Sequence, residues 1–393
     1  MENNLSKLDE IKRALNAKFY EREDEVEALL IAILSRQHIL MIGPSGTAKS
    51  ALAVELAEMI QGAKYFQWLL TRFSTPEELF GPLSLKDLEK GVYKRNTASK
   101  MPEVNLVFLD EIFKANSAIL NSLLTIINER IFYNNGLPVQ VPLMSVVGAS
   151  NEYPEEGEGL EALFDRFLLR FEVDYIVEGT NFISMMKDPG QHKKMPTMTI
   201  EDLIHFQKLT DRVVIEDEVY NAILKIRNEL WDEGIRPSDR RFKQSLSVLQ
   251  ARALIRRRNV VLVEDIVILE NALWETINQK DIVSVIVHRH AQDAVIRALH
   301  SIQSEANEVF DSIMRDKSVE AGMEATQKME ALVADMIEMK GRYKGREMEI
   351  DALLIKVKSM QQEILNAILE PMYFYELNVK KEMGTTAGIF YNM

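Results

Sequence analysis

Gly43-Pro44-Ser45-Gly46-Thr47-Ala48-Lys49-Ser50 decides how this chain is read. His38-Ile39-Leu40-Met41-Ile42 precedes it, a short apolar run that predicts a buried strand. Ala51 to Ile60 follows, with apolar residues at helical spacing. Strand, glycine-containing loop and helix N-terminus together form the setting in which loop amides cradle phosphate. Lys49 then reaches the outer phosphates and Ser50 offers a hydroxyl to magnesium. Ala48 stands where a second glycine is usual. The plainer alternative is a Gly/Ser-rich turn that happens to contain a lysine. The flanking strand and helix favour a site for a nucleoside triphosphate.

Asn105-Leu106-Val107-Phe108-Leu109 predicts a further core strand, ending directly in Asp110-Glu111. Two carboxylates at the C-terminal edge of a buried strand suit magnesium-dependent hydrolysis, with Asp110 toward the metal shell and Glu111 toward the attacking water. A bare Asp-Glu pair is otherwise a solvated strand end. Met144 to Ala149 predicts another strand, with Asn151 just beyond it, placed either to position that water or to cap the strand. Gln67 to Leu70 reads as a core strand, and Leu160 to Phe171 as a short helix running into one. On that helix Arg166 and Arg170 lie one turn apart, suited to reach a neighbouring chain's phosphates or to pair with Asp165 or Glu161. Ile131 to Tyr133 and Val139 to Val141, joined through Asn134-Asn135-Gly136, predict a β-hairpin. Residues 84–95 read as an insertion turning at Lys90-Gly91, and Tyr20 to Glu23 as a segment near the base of a bound nucleotide.

The totals narrow the function. With 393 residues and 47% hydrophobic content the chain can fold as two or three domains. No cysteine is present, so disulfides, thiolate metal sites and thiol catalysis are excluded. No signal peptide or membrane-spanning run is evident, which fits a cytoplasmic protein. Against 47 Lys and Arg stand 60 Asp and Glu, net −13, which disfavours nucleic acid as the main ligand. Arg256-Arg257-Arg258 is the best local basic patch, though a solvated helix end is the favoured reading of it.

Beyond Tyr175 the strand–helix alternation stops. Helices are predicted over Glu201–Leu209, Glu216–Trp231, Asp239–Arg256 and Glu264–Thr276, with Ser238 as N-cap of the third. Arg240, at that helix start, is placed to reach a phosphate and couple a lid to nucleotide state. Farther on, Met329, Met336, Tyr343, Ile350, Val357 and Ile364 keep a heptad, with Leu332, Met339, Leu353 and Met360 beside them. Arg346, Gly341 and Gly345 mark a weak point, and Pro371 an end. A hairpin on its own chain and an intermolecular coiled coil fit equally.

These stretches resemble the AAA+ ATPases, and among them the MoxR group, with the closest likeness to the RavA-type branch. The phosphate loop, Thr71-Arg72-Phe73-Ser74-Thr75-Pro76-Glu77-Glu78-Leu79-Phe80-Gly81-Pro82 and Val107 to Ile112 carry it, joined by Ile119 to Arg130 and Ser238 to Arg241. Ala48 is also usual in that branch. The resemblance covers roughly residues 10–280. It implies a P-loop α/β core with a parallel five-stranded sheet over residues 1–180, an α-helical lid over 195–285, and a helical or coiled-coil domain over 286–393. It assigns Lys49 and Ser50 to Walker A, Asp110 and Glu111 to Walker B, Asn151 to sensor 1, Arg166 (or Arg170) to the trans-acting finger and Arg240 to sensor 2. Ser50 and Asp110 would hold Mg2+ with ATP or ADP. It further implies a hexameric ring motor remodelling a protein client or a metalloprotein complex, often beside a partner with a von Willebrand factor A domain. The insertion 84–95 and hairpin 131–141 would face the ring's pore. RavA-type tails are longer and carry a β-rich module, whereas this tail reads as wholly helical. A nucleotide-gated scaffold acting through that tail and a nucleic-acid-stimulated motor are the competing readings.

Overall fold

The computed structural model describes residues 2–154, 159–188, 195–291, 294–315, 318–343 and 346–386. They fall into two compact units, Met1–Ala291 and Gln292–Met393.

In the first unit, β1 (Ile39–Ile42), β2 (Tyr65–Leu69), β3 (Leu106–Asp110), β4 (Ser145–Ser150) and β5 (Leu169–Glu172) form one sheet in the order β2-β3-β4-β1-β5. Every pairing in it is parallel. Buried on both faces, β1, β3 and β4 read as unbroken apolar runs rather than alternations, as parallel sheets require. Because β1 lies between β4 and β5, and β3 beside β4, the C-terminal ends of β1, β3 and β4 meet at one edge. That edge is where the site sits.

Helices α1 (Glu2–Lys18) and α2 (Glu23–Ser35) precede the sheet, and α3 (Lys49–Glu58) follows β1. Helix α2 is buried on nearly all sides, with Leu29, Leu30, Ile31 and Ile33 no more than 1% exposed. Each such side chain contributes about 1.5–3 kcal/mol. Helix α4 (Ser117–Glu129) starts at an Asn116 cap on the Ile119 amide and buries Ile119, Leu123, Ile126 and Ile127. The hairpin pairs Ile131–Asn134 with Leu137–Gln140, and Asn135 and Gly136 both take positive φ, as its two-residue turn demands. Its Asn134 and Asn135 side chains accept the amides of Arg95 and Tyr93, stapling the 84–95 insertion to it.

Among the helices not predicted is α5 (Gly179–Lys187), amphipathic and with no fully buried residue. Then come α6 (Ile200–Thr210), α7 (Asp217–Asp232), α8 (Asp239–Ile255) and α9 (Lys280–Ala291), the last running beyond residue 285. Gln207 Nε2 of α6 donates to Ile33 O of α2 at 2.8 Å, fastening these helices to the core. The helix expected over 264–276 is instead a 3-10 helix, Val263–Asn271. At its start Asp265, fully buried, accepts the Leu262 amide and both terminal nitrogens of Arg258.

In the second unit, α10 (Ala294–Arg315), α11 (Val319–Arg342) and α12 (Glu347–Thr386) share one apolar cluster. Met329, Met336, Ile350, Val357 and Ile364 are its fully buried centre. The heptad therefore belongs to two helices. Lys340 Nζ lies 2.6 Å from Asp351 Oδ1, although eleven residues of continuous helix would separate them by roughly 16 Å. The chain thus reverses between Arg342 and Glu347, and the hairpin reading holds. Helix α12 also runs through position 371 rather than ending there. A proline deletes one backbone hydrogen bond, which bends a helix without necessarily stopping it.

Candidate functional site

The loop after β1 folds as the sequence demands. Gly43 N donates to Ser150 O at 3.0 Å, and a Cβ at Gly43 would lie 1.9 Å from Val173 O, so only glycine fits. Gly46 and Ala48 take left-handed φ of 84° and 66°, and Thr47 Oγ1 ties back to Pro44 O at 3.0 Å. Ala48 pays the modest cost of a non-glycine residue in that region. Among the described residues, the amides of Gly46, Thr47 and Ala48 donate to no carbonyl. They lie at the N-terminus of α3, beside exposed Ser45 and half-buried Ser50. Lys49 is buried, and its ammonium folds back on Gly43 O at 2.6 Å and Pro44 O at 2.8 Å. Burial lowers its pKa, and the carboxylates of Asp110 and Glu111 oppose that shift. Uncommitted amides and a cation held by neutral oxygens, with Thr47 Oγ1 at 3.3 Å beside the two carbonyls, fit an anion, so the loop suits phosphate. Ser50 and Asp110 offer a hydroxyl and a carboxylate, hard oxygen donors of the kind magnesium takes when phosphate completes its shell. No cluster of three or more His, Asp or Glu able to hold a metal occurs among the described residues.

Next to the loop opens a cavity of about 490 Å³ lined by Tyr20, Arg22, Gly46, Tyr175, Phe182 and Met185, among others. Tyr20 and Arg22 thus line a cavity that adjoins the loop, whereas Glu23 lines a separate, acidic cavity. Arg22 is buried and donates to Thr47 O and Asp174 O, bracing the loop from behind. Tyr175, Phe182 and Met185 were not singled out in the sequence; the only signal was an apolar stripe on an unpredicted helix.

Asp110 closes β3 and accepts the Glu111 amide at 3.0 Å. Glu111 sits at φ 52°, ψ 45°, a left-handed backbone uncommon for a side-chain-bearing residue. Asn151, one residue past β4, donates to Glu111 Oε1 at 2.5 Å, and its Oδ1 lies 3.5 Å from Lys49 Nζ. Lys49, Asn151 and Glu111 therefore form one chain of contacts across the ends of β1, β4 and β3. Lys114 Nζ adds a cation 3.2 Å from Glu111 Oε2, unforeseen in the sequence.

The arginines separate into two kinds. Helix is confined to Glu161–Phe164, so Arg166 and Arg170 do not share a helical face. Arg166 lies beyond it, with its guanidinium 3.7 Å from Asp165. Arg170 lies in β5, 1% exposed, and donates to the carbonyls of Phe164, Phe167 and Trp274, beneath the Phe164 ring at 3.9 Å. It cannot reach a neighbouring chain, and its candidacy as a finger is withdrawn. Its alternation into the core reflects strand geometry. Arg240, at the start of α8, is half-exposed and pairs with Asp165. Arg241, quoted in the sequence only as part of the Ser238–Arg241 stretch and given no role, is 1% exposed and binds Asp165 Oδ1 at 3.1 Å with the carbonyls of Phe167, Leu168 and Ala272.

Sheet order, phosphate-type loop and helical lid define a P-loop α/β fold of the AAA+ class. Residues 6–211 match the family model described as the MoxR domain in the MoxR-vWA-beta-propeller ternary systems, and residues 218–287 match an AAA lid domain. The chain belongs to the MoxR-type AAA+ ATPases. It is similar to two uncharacterized proteins of Methanocaldococcus jannaschii. One is 40% identical over 284 residues, 72% of this chain and 74% of that one. The other is 35% identical over 379 residues, 96% of each. The chaperone MoxR1 of Mycobacterium tuberculosis is 26% identical over 208 residues, 51% of this chain and 53% of that one. A crystal structure from Cytophaga hutchinsonii, assigned as an ATPase, covers 73% of this chain and 95% of its own at TM-score 0.61 and 18% identity, a likeness of fold alone.

Proposed function

We propose that this chain is an ATP-hydrolysing ring motor, RavA-like in its action, that remodels a protein client in a chaperone-like way. The observation that carries this reading is the contact chain Lys49–Asn151–Glu111 at one sheet edge. In it Lys49 and the free loop amides hold the phosphates, Asn151 orients water beside them, and Glu111 polarises that water. Magnesium, when bound through Ser50 and Asp110, supplies charge neutralisation on the phosphates. Arg166 acts in trans as the finger, supported by its place with Asp165 rather than in the contact chain. Arg240 acts as the lid's sensor. That division of labour needs a closed assembly, which we take to be hexameric.

The matched family's description, a MoxR domain in MoxR-vWA-beta-propeller systems, supports a von Willebrand factor A-domain partner. The relation to chaperone MoxR1 supports a protein client, and the net −13 argues against nucleic acid. No helix among the described residues is long and apolar enough to cross a membrane, consistent with a cytoplasmic site of action. The test is steady-state ATP turnover per subunit across protein concentration, with Lys49→Ala as the zero. A steep rise to a plateau supports sites completed between subunits. Wild-type turnover no higher than that of Lys49→Ala would sink the motor and leave the scaffold reading.

A further inference from the structure

We infer that Lys114 is a positioning residue that latches Glu111 in a resting state and is released for hydrolysis; this rests on the ATPase reading above. Both carboxylate oxygens of Glu111 are engaged. Oε1 accepts the Asn151 amide at 2.5 Å. Oε2 is buried without a hydrogen bond and faces the Lys114 ammonium at 3.2 Å. A carboxylate that polarises water must turn a lone pair toward it, and here neither oxygen is open to do so.

The backbone brings the two side chains together. Glu111 caps a single 3-10 turn, Ile112–Lys114, and the Lys114 amide donates to Glu111 O at 2.9 Å. In a 3-10 turn, side chains three apart eclipse, so closing the turn swings Lys114 over Glu111. The left-handed Glu111 sets the direction of that turn. Of the two partners, Asn151 is shared with Lys49 and so stays on the phosphate side. Lys114 is held by nothing comparable: its side chain is 41% exposed, against 12% for Glu111. A partly exposed pair is worth a factor of roughly two to five in an equilibrium. That is strong enough to bias the carboxylate and weak enough to break in every cycle. It makes a latch, not a lock.

Two measurements test it. The first needs no nucleotide: thermal unfolding of wild type, Lys114→Met, Glu111→Gln and the double variant. The Tm shifts of the single variants are expected to miss additivity by roughly 1–3 °C. Additive shifts overturn the pair. The second is steady-state kinetics, with Lys114→Met expected to raise basal kcat roughly two- to five-fold at unchanged KM. Lys114→Arg, which keeps the cation, is expected to stay at the wild-type value. A kcat that is unchanged or lower in Lys114→Met overturns the latch while leaving the ATPase reading intact. Wild-type turnover at the Lys49→Ala level fails the ATPase reading itself, and the latch, as a control on hydrolysis, falls with it.

Discussion

Arg170→Ala separates a structural anchor from a catalytic finger. The guanidinium is 1% exposed and satisfies three carbonyls, those of Phe164, Phe167 and Trp274. Truncation leaves all three acceptors without their donor, at about 1–3 kcal/mol each. A cavity of about 440 Å³ that Arg170 itself lines lets water reach the vacated space, which favours the low end of that range. Loss of the Phe164 stacking contact adds a smaller amount. The sum is about 3 kcal/mol, or roughly 6–12 °C in Tm for a unit of this size. Differential scanning calorimetry reads it, with turnover measured on the same samples well below Tm. Turnover is expected to fall only as far as folded protein is lost. In Arg166→Ala the order reverses, with Tm nearly unchanged and turnover down roughly 10³-fold. Arg170→Ala with unchanged Tm and abolished turnover would refute the anchor.

Three further outcomes follow from the same structure. His38 is fully buried, accepts the Val146 amide on Nδ1 and contacts Ile127 O through Nε2, and burial beside Arg130 lowers its pKa to about 3. Because the unfolded chain takes up that proton near pH 6.5, stability is full above that pH and falls as pH drops toward 3. The loss reaches about 2 kcal/mol at pH 5, and an imidazole NMR titration with a midpoint near 6.5 would show the idea wrong. Glu111→Gln is expected to keep nucleotide affinity within a few-fold while turnover drops at least about 10²-fold, as read by fluorescent-nucleotide binding beside phosphate release. Gly43→Ala, whose methyl would meet Val173 O at 1.9 Å, is expected to lose nucleotide binding altogether; an affinity equal to wild type would exclude the close packing described.

The sheet and the edge where the candidate site lies were legible because apolar runs followed by the Gly43–Ser50 loop, by Asp110 and by Asn151 have few alternative readings. Sequence spacing also predicted the hairpin, through the Asn-Gly turn. It failed wherever a long-range partner overrode a local pattern. The helix expected at 264–276 is a 3-10 helix over Val263–Asn271, where buried Asp265 binds Arg258. Arg166 and Arg170 were paired on a helical wheel, but the helix stops at Phe164 and the strand turns Arg170 inward. The heptad left a hairpin and a coiled coil both open, and only the Lys340–Asp351 pair between two helices decides for the hairpin. Tyr175 and Phe182 were unreadable as site residues, since their place beside the loop comes from the chain's path after β5.

Asp165 shows how the lid and the core are joined, and where the energy of that joint lies. It takes Arg240 and Arg241 from the first turn of α8 and faces Arg166 at 3.7 Å. Two cations at a helix N-terminus oppose the helix dipole, so α8 keeps them there only with a nearby anion. The two pairs differ in kind. Arg241 is 1% exposed and cannot rehydrate, whereas the side chains of Arg240 and Asp165 are 40% and 37% exposed. Asp165→Asn is therefore expected to cost about 2 kcal/mol, through a buried guanidinium deprived of its carboxylate. Arg240→Ala is expected to cost under about 1 kcal/mol. If Arg240 is free to leave Asp165 for a phosphate, its removal should cut turnover far more than stability, while Asp165→Asn does the opposite. Urea unfolding and turnover of the two variants decide the matter. Equal stability losses, or turnover that tracks stability in both, would mean that Arg240 is a structural strut and not a sensor.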